Sequence, residues 1–326
     1  MVGGTRWRDV VDAAASHGLT ALHGSSPNVA VAGYALGGGL SFYARQHGLA
    51  ANTLTALEVV LPDGSLVRAS RHENTDLFWA LRGGGGNFGV VVALELDMLP
   101  IPDVYAGMLT WDIAHAPQVL RTWRDLTRTV PDTATTSLRL MRFPPSSELP
   151  PFLSGRRLIV VDGAVLEDDE AADALLSPLR ALHPEIDTFG RMPSAGLLGV
   201  HMDPPNPTPV VSDHAVLGDL DDDAVDAMLA VVGPGPTPPL VSIELRHLGG
   251  CLSRPAERAG PLATMPGAYA LFCLAVAPAP VAAMAGRAAA TEVVRSLGRG
   301  PRGHESSTSP TPSTPAAGST PTPGRA

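Results

Sequence analysis

The sequence predicts an α+β protein. A glycine-rich N-terminal unit, 1–102, precedes a larger unit, 103–297, read as an antiparallel sheet with helices on one face. Three observations predict this. β-Branched runs and amphipathic helical stretches interleave, yet no glycine fingerprint sits between a strand and the helix it opens, so the parallel βαβ plan lacks its signature. Pro100 and Pro102 mark a boundary between the units. From Gly298 to Ala326 the chain turns to Pro, Ser, Thr and Gly with almost nothing apolar, a composition that predicts a disordered tail.

The elements follow in order. Trp7, Val10, Val11 and Ala14 recur at helical spacing, predicting a helix over 4–17 with Thr5 as N-cap and Gly18 as its stop. A glycine-rich loop over 26–39 and a short helix over 42–47 come next. Runs over 55–61 and 65–70 read as a hairpin turned by Pro62-Asp63-Gly64. Asn74, Thr75 and Asp76 offer cap oxygens to a helix over 77–81, which Gly83 to Gly86 stop before a strand over 90–98. In the second unit, helices are expected over 116–128, 168–183, 221–232 and 280–297. Strands are expected over 137–143, 157–166, 240–247 and 269–276. The stretch 192–213, rich in proline, methionine and small residues, reads as a long loop near a site or interface.

Composition excludes several classes of function. A 326-residue chain with 44% hydrophobic residues buries a real core, and a net charge of −9 argues against a nucleic-acid surface. No stretch is long and apolar enough to span a bilayer. Met1 to Val10 is polar and charged, unlike a signal peptide, so a cytoplasmic location is expected. Every Lys/Arg-type residue is arginine, which removes Schiff-base and Walker-loop chemistry and suggests a GC-rich, bacterial coding sequence. The histidines show no zinc-ligand spacing and no Gly-x-Ser-x-Gly elbow appears. Cys251 and Cys273 read as buried free thiols.

The chemistry points to two glycine clusters. In the first, Val29, Ala30, Val31, Ala32 and Gly33 lead to Gly37-Gly38-Gly39, a run with little side-chain bulk that a flat ligand or a phosphate can approach. The triple glycine alone reads equally well as a tight turn. The second runs from Gly83 to Gly86 and on to Gly89. Gly84-x-Gly86-x-x-Gly89 matches the dinucleotide fingerprint as a string, but a helix precedes it and a β-branched run follows, the reverse of the Rossmann order.

Together GSSPNVAVAGYALGGG at 24–39, HGLAAN at 47–52, EVVLPDGSLVRAS at 58–70 and ENTDLFWALRGGGGNFGVV at 73–91 resemble the FAD-binding domain of PCMH-type FAD-linked oxidases, the berberine-bridge-enzyme-like flavoproteins of the vanillyl-alcohol-oxidase superfamily. PVVSDHAVLGDL at 209–220 and LVSIELRHLGG at 240–250 extend the resemblance. It implies a partial PCMH-type FAD-binding domain followed by an antiparallel-sheet substrate domain, with FAD as cofactor and a small molecule as substrate. It implies oxidoreductase chemistry, a hydride passing from a CH–OH or CH–NH carbon to flavin N5 with oxygen as reoxidant. By the same resemblance Ser26, Val29, Ala30 and Gly33 line the isoalloxazine, Gly37, Gly38 and Gly39 admit the pyrophosphate, and Asn52, Val90 and Val91 contact the adenosine or ribityl side. On side-chain grounds Val90 and Val91 also read as core, and Asn52 as a turn cap. Ser26 stands where some members carry a cysteine bonded to the flavin, so no thioether link is expected. The Arg-Ser-x-Gly-His-type loop that bonds the flavin through histidine, and a C-terminal Tyr-x-Asn segment, are expected to be absent from this chain. An inactive fragment and a non-catalytic binding module stay open beside the enzyme reading.

On the substrate side, strand alternation puts Ser242, Glu244 and Arg246 on one face of 241–246. A sheet face carrying these groups needs water or a polar ligand. Glu244 and Arg246 are therefore candidates for substrate binding or proton removal, against a solvated face with a weak ion pair. His247 at the strand end is a candidate acid or base, or a structural histidine.

Overall fold

The computed structural model describes residues 1–147, 149–204, 206–232, 239–257 and 259–297; the tail expected to be disordered, 298–326, lies outside the described residues.

The N-terminal unit opens with α1 (Trp7–Ala15), which buries Trp7, Val10, Val11 and Ala14 as the periodicity requires. Thr5 does not cap it. The free N–H groups of Trp7 and Arg8 are taken instead by the Val29 and Pro27 carbonyls at 3.0 Å each, so the glycine-rich segment itself caps the helix. That segment is not one loop either. Val31 starts α2 (Val31–Leu36), whose Val31, Ala32, Ala35 and Leu36 form a buried stripe while Gly33 faces outward. After α3 (Ala44–His47) and a 3₁₀ turn at Ala50–Thr53, the chain builds a three-stranded antiparallel sheet. In it β1 (Leu54–Val60) pairs with β2 (Leu66–Ser70) on one side and β3 (Val90–Leu96) on the other. The hairpin turn forms as expected, with Asp63 Oδ1 accepting from the Ser65 N–H at 2.9 Å.

Between β2 and β3 lies α4 (Thr75–Gly84), whose regular turns stop at Arg82, with Gly83 at φ +100°. The Asn74 side-chain oxygen accepts no cap hydrogen bond from the helix. The residue sits in the left-handed region and its amide donates to the Arg68 carbonyl at 2.7 Å, tying the helix start to β2. A helix therefore precedes the second glycine cluster and a strand follows it, as the rejection of a Rossmann fingerprint requires.

The larger unit is an eight-stranded sheet, antiparallel throughout. Its strands are β4 (Asp103–Asp112), β5 (Ala134–Arg142), β6 (Arg157–Val165), β7 (Ile186–Asp187), β8 (Gly190–Pro193), β9 (Val210–Leu217), β10 (Ser242–His247) and β11 (Tyr269–Val276). The order is β7-β4-β6-β5-β10-β11-β9, with β8 sharing the β4 edge. One face carries α5 (Ala116–Thr127), α6 (Asp169–Arg180), α7 (Asp222–Val232) and α8 (Pro280–Leu297) over a core containing Trp111, Trp123, Leu138, Val161 and Tyr269. Asp168 caps α6 through the Ala171 N–H at 2.9 Å.

The sequence reading misses β4, β9 and the short edge strands β7 and β8. β4 is buried on both faces, so the apolar–polar alternation that announces a strand is lost. Its odd-numbered Leu109 and Trp111 enter the helix-side core, while Val104 and Ala106 enter the core of the N-terminal unit. Gly107 is required there, because a Cβ would lie 2.5 Å from the Phe189 backbone where the edge pairing passes from β7 to β8. The loop expected over 192–213 contains the end of β8, a 3₁₀ turn at Ser194–Gly199 and the start of β9.

The bare face of the large sheet packs on the N-terminal unit. Arg45 of α3 crosses this seam and donates to the backbone carbonyls of Leu248 at 2.9 Å, Ala134 at 2.7 Å and Pro131 at 3.2 Å. Beside it Ala44, Leu49, Leu248 and Leu252 form a small shared core. Cys273 is buried and its thiol is pushed up to about 12 by burial, whereas Cys251 is half-buried, contrary to the expectation that both are inaccessible.

Candidate functional site

The seam opens into a small, partly open cleft. Ser25, Leu40, Ser41 and Phe42 line it from the glycine-rich unit; Thr135, Ser137, Glu244 and Arg246 line it from the bare sheet face; His201 lines it as well. Alternation along β10 places Ser242, Glu244 and Arg246 on the face away from the helices, as read from the sequence. The register adds β5 to the same face: Arg246 pairs with Ser137 and Glu244 with Arg139. Ser137 in turn pairs with Asp162 of β6.

The expected ion pair exists, but not on a solvated face. Arg246 Nε donates to Glu244 Oε1 at 2.6 Å and its Nη2 to Oε2 at 3.3 Å, while Glu244 is only 3% exposed. Burial pushes the Glu244 carboxyl up; Arg246 first, with Arg139 behind it, outweighs that and holds the carboxyl below its usual range. Glu244 is thus an ionised acceptor, locked in place and a weak base.

Below it lies a cluster that the sequence reading missed. Asp162 is fully buried. It accepts from Arg139 Nη2 at 2.6 Å, from His201 Nδ1 at 2.8 Å and, very closely, from the Ser137 hydroxyl. Arg139 Nη1 also holds the His201 carbonyl at 2.9 Å, and His201 Nε2 lies 3.7 Å from Glu244 Oε1. Two signals for this cluster were in the chain: an aspartate inside the apolar run Leu158–Val165, and an arginine, Arg139, set between Leu138 and Leu140 in a second apolar run. His201 had no signal beyond its place in the long loop. His247 lines the cleft as well, with its imidazole lowered to about 3 by burial and then by Arg45, and its Nδ1 buried without a partner among the described residues.

The two glycine clusters meet. The Gly85 N–H donates to the Leu36 carbonyl at 3.0 Å, and Leu262 packs against both Gly38 and Gly83. The individual glycines differ in what requires them. A Cβ on Gly39 would lie 2.5 Å from the Tyr34 ring, and one on Gly38 2.9 Å from Leu262, so these two serve the protein's own packing. Gly33 and Gly37 are exposed, and a Cβ on Gly33 would meet nothing within 4 Å. Tyr34, wedged between Gly24 and Gly39, has a buried hydroxyl without a partner among the described residues, and burial pushes its phenol up.

Of the remaining candidate residues, Ser26 and Ala30 are half-buried and Val29 is exposed. Asn52, in the 3₁₀ turn, has a buried side-chain oxygen that no described residue satisfies, which a simple turn cap does not account for. Val91 packs at the margin of the N-terminal core, whereas Val90 is 67% exposed at the start of β3 and is not a core residue. The structure thus gathers the first cluster and Asn52 into one region and leaves Val90 at the rim of the small sheet.

A glycine-rich α+β unit thus faces a bare antiparallel sheet across a polar cleft, and the chain has the fold of the PCMH-type, berberine-bridge-enzyme-like FAD-linked oxidases. Residues 2–70 match the family described as FAD binding domain, and FAD is the cofactor that goes with it. The chain is similar to the chitooligosaccharide oxidase of Gibberella zeae, 36% identical over 160 residues, which is 48% of this chain and 30% of that protein. Among solved structures it resembles 6-hydroxy-D-nicotine oxidase from Arthrobacter nicotinovorans, with a TM-score of 0.74 at 22% identity, covering 91% of this chain and 65% of that one. A berberine bridge enzyme variant, a reticuline dehydrogenase, gives 0.75 at 17%, covering 93% and 63%. The chain therefore spans just under two thirds of these solved chains, and its alignment less than a third of the curated relative.

Proposed function

We propose that this chain carries the substrate-facing part of an FAD-dependent oxidoreductase that removes a hydride from a CH–OH or CH–NH carbon, with oxygen as the reoxidant. The observation that carries the proposal is the cleft itself, where the glycine-rich unit and the polar sheet face meet around Ser25, Ser41, Glu244 and Arg246. The cofactor supplies the two-electron chemistry when bound. Toward it we assign Ser26, Val29, Ala30 and Gly33 to the isoalloxazine, Gly37 to Gly39 to the pyrophosphate, and Asn52, Val90 and Val91 to the adenosine or ribityl side. The open space over Gly33, the exposed backbone at Gly37 and the unsatisfied oxygen of Asn52 support this set.

Glu244 and Arg246 position the substrate. Arg246 reaches the cleft with its side chain 35% exposed, and the Glu244 carboxylate fixes its orientation. Among the relatives, one is named for a sugar and another for an amine. The hydroxyl-bearing lining of Ser25, Ser41, Thr135 and Ser137 favours a polyhydroxylated alcohol. Purified protein supplied with FAD should turn yellow and bleach anaerobically with a sugar or alcohol. Protein that stays colourless and takes up no FAD would instead support the binding-module reading.

A further inference from the structure

The cluster beneath the cleft has a chemistry that the roles of Glu244 and Arg246 do not use. Asp162 accepts three hydrogen bonds from Arg139, His201 and Ser137. Burial pushes its carboxyl up, but Arg139, His201 and Ser137 hold it well below the usual carboxylate range, so it is an acceptor only. An acceptor facing Nδ1 of His201 at 2.8 Å places the proton on that nitrogen and leaves Nε2 as a bare lone pair in the neutral ring.

The ring is fixed from several sides. Arg139 grips the His201 carbonyl at 2.9 Å, and the Phe42 ring packs edge-on at 6.1 Å between centroids. Nε2 has Glu244 Oε1 as a neighbour at 3.7 Å, too far for a hydrogen bond, and that oxygen is already held by Arg246. His201 also lines the cleft. An unengaged basic nitrogen, oriented by a buried carboxylate and presented to a polar cleft, is the arrangement of an oriented general base.

We infer that His201 Nε2 is the proton acceptor of this site. A ligand hydroxyl donates to Nε2; the O–H bond breaks, the Nε2–H bond forms, and the electron pair stays on the ligand oxygen. The resulting imidazolium lies between the carboxylates of Asp162 and Glu244. Asp162 and Arg139 are positioning residues, acting through the ring. The charged groups around it are Asp162 from β6, Arg139 from β5, Glu244 and Arg246 from β10, and Asp203 on its own segment, which is bound to Ser25 at 2.6 Å. The identity of the hydroxyl as substrate rests on the oxidoreductase reading; the protonation state of the ring does not.

The test begins with histidine-labelled full-length protein at pH 8, without cofactor or substrate, read by ¹⁵N–¹H correlation and assigned by the signals lost in His201→Gln. The expected result is a protonated Nδ1 and a bare Nε2, with Asp162→Asn disturbing that tautomer. In FAD-loaded protein bleached anaerobically by a sugar, His201→Gln should slow reduction by about 100-fold or more. It should also remove the fall in rate toward acid pH while leaving FAD affinity unchanged. A proton on Nε2 in the resting protein overturns the inference, and so does a variant reduced at the parental rate with the parental pH profile. If no FAD binds or no alcohol bleaches it, the oxidoreductase reading fails, and the tautomer measurement alone decides the state of His201.

Discussion

Asp162→Asn is the most informative single change to the buried sheet face. The substitution conserves volume, so no cavity opens. It replaces a carboxylate that serves three donors with an amide that offers one oxygen and places N–H groups against the remaining donors. Arg139, whose side chain is 9% exposed, loses its closest counter-ion. Breaking one partner of a buried ion pair costs about 3–5 kcal/mol, a large share of the roughly 5–15 kcal/mol that holds a domain folded. Urea unfolding followed by tryptophan fluorescence measures this, since Trp111 and Trp123 lie in the core behind the same sheet. The pH dependence provides a second check. The folded carboxyl titrates well below its ordinary 3.8, so its contribution is fully present above that value and is lost as pH falls through 3.8 toward the folded value. The gap between parent and variant should therefore shrink below about pH 4. A cost under about 1 kcal/mol at pH 7, or a gap undiminished at pH 3, would refute the account of Asp162 as the anchor of this cluster.

Four further outcomes are expected. Arg45→Met strands the carbonyls of Leu248, Ala134 and Pro131 and should cost about 3–5 kcal/mol, separating the unfolding of the two units into distinct denaturation steps. His247 is neutral when folded, with its imidazole lowered from 6.5 to about 3. Stability should therefore fall between pH 6.5 and 3, by up to about 1.4 kcal/mol per pH unit, and His247→Gln should flatten that slope in pH-series unfolding. Gly33→Ala should leave the cofactor-free protein as stable or up to about 1 kcal/mol more stable while weakening FAD binding in fluorescence titration. Gly39→Ala should destabilise the protein itself, because its Cβ would lie 2.5 Å from the Tyr34 ring at a φ of +75°.

What the sequence made legible divides along physical lines. β10, β11, α8 and the β1–β2 hairpin carry strong periodicity or turn chemistry and are found where the pattern puts them. β4 was illegible because both of its faces are buried, and β9 because Ser212 and Asp213 interrupt its apolar run. The glycine-rich stretch looked like one extended ligand loop. Its alanines and leucine instead form α2, and the carbonyls before it cap α1. At the site, β10 alternation found Glu244 and Arg246, since a face shared at spacing two is a local property. Asp162, Arg139 and His201 come from three separate segments, and only the strand register and the fold of 194–203 bring them under the cleft.

The seam has an electrostatic logic that links stability to the proposed chemistry. Asp162 and Glu244 face Arg139 and Arg246, so the buried face is neutral while His201 is neutral. Removing either acid leaves an arginine without its counter-ion and is costly. A proton taken up by His201 would lie 2.8 Å and 3.7 Å from two carboxylates. The face can therefore accept a proton from the cleft but cannot lose a carboxylate. That asymmetry suits a site whose task is to take a hydroxyl proton and hold it. It predicts that charge-conserving changes at Glu244 will be milder than charge-removing ones: Glu244→Asp should retain part of the activity that Glu244→Gln loses.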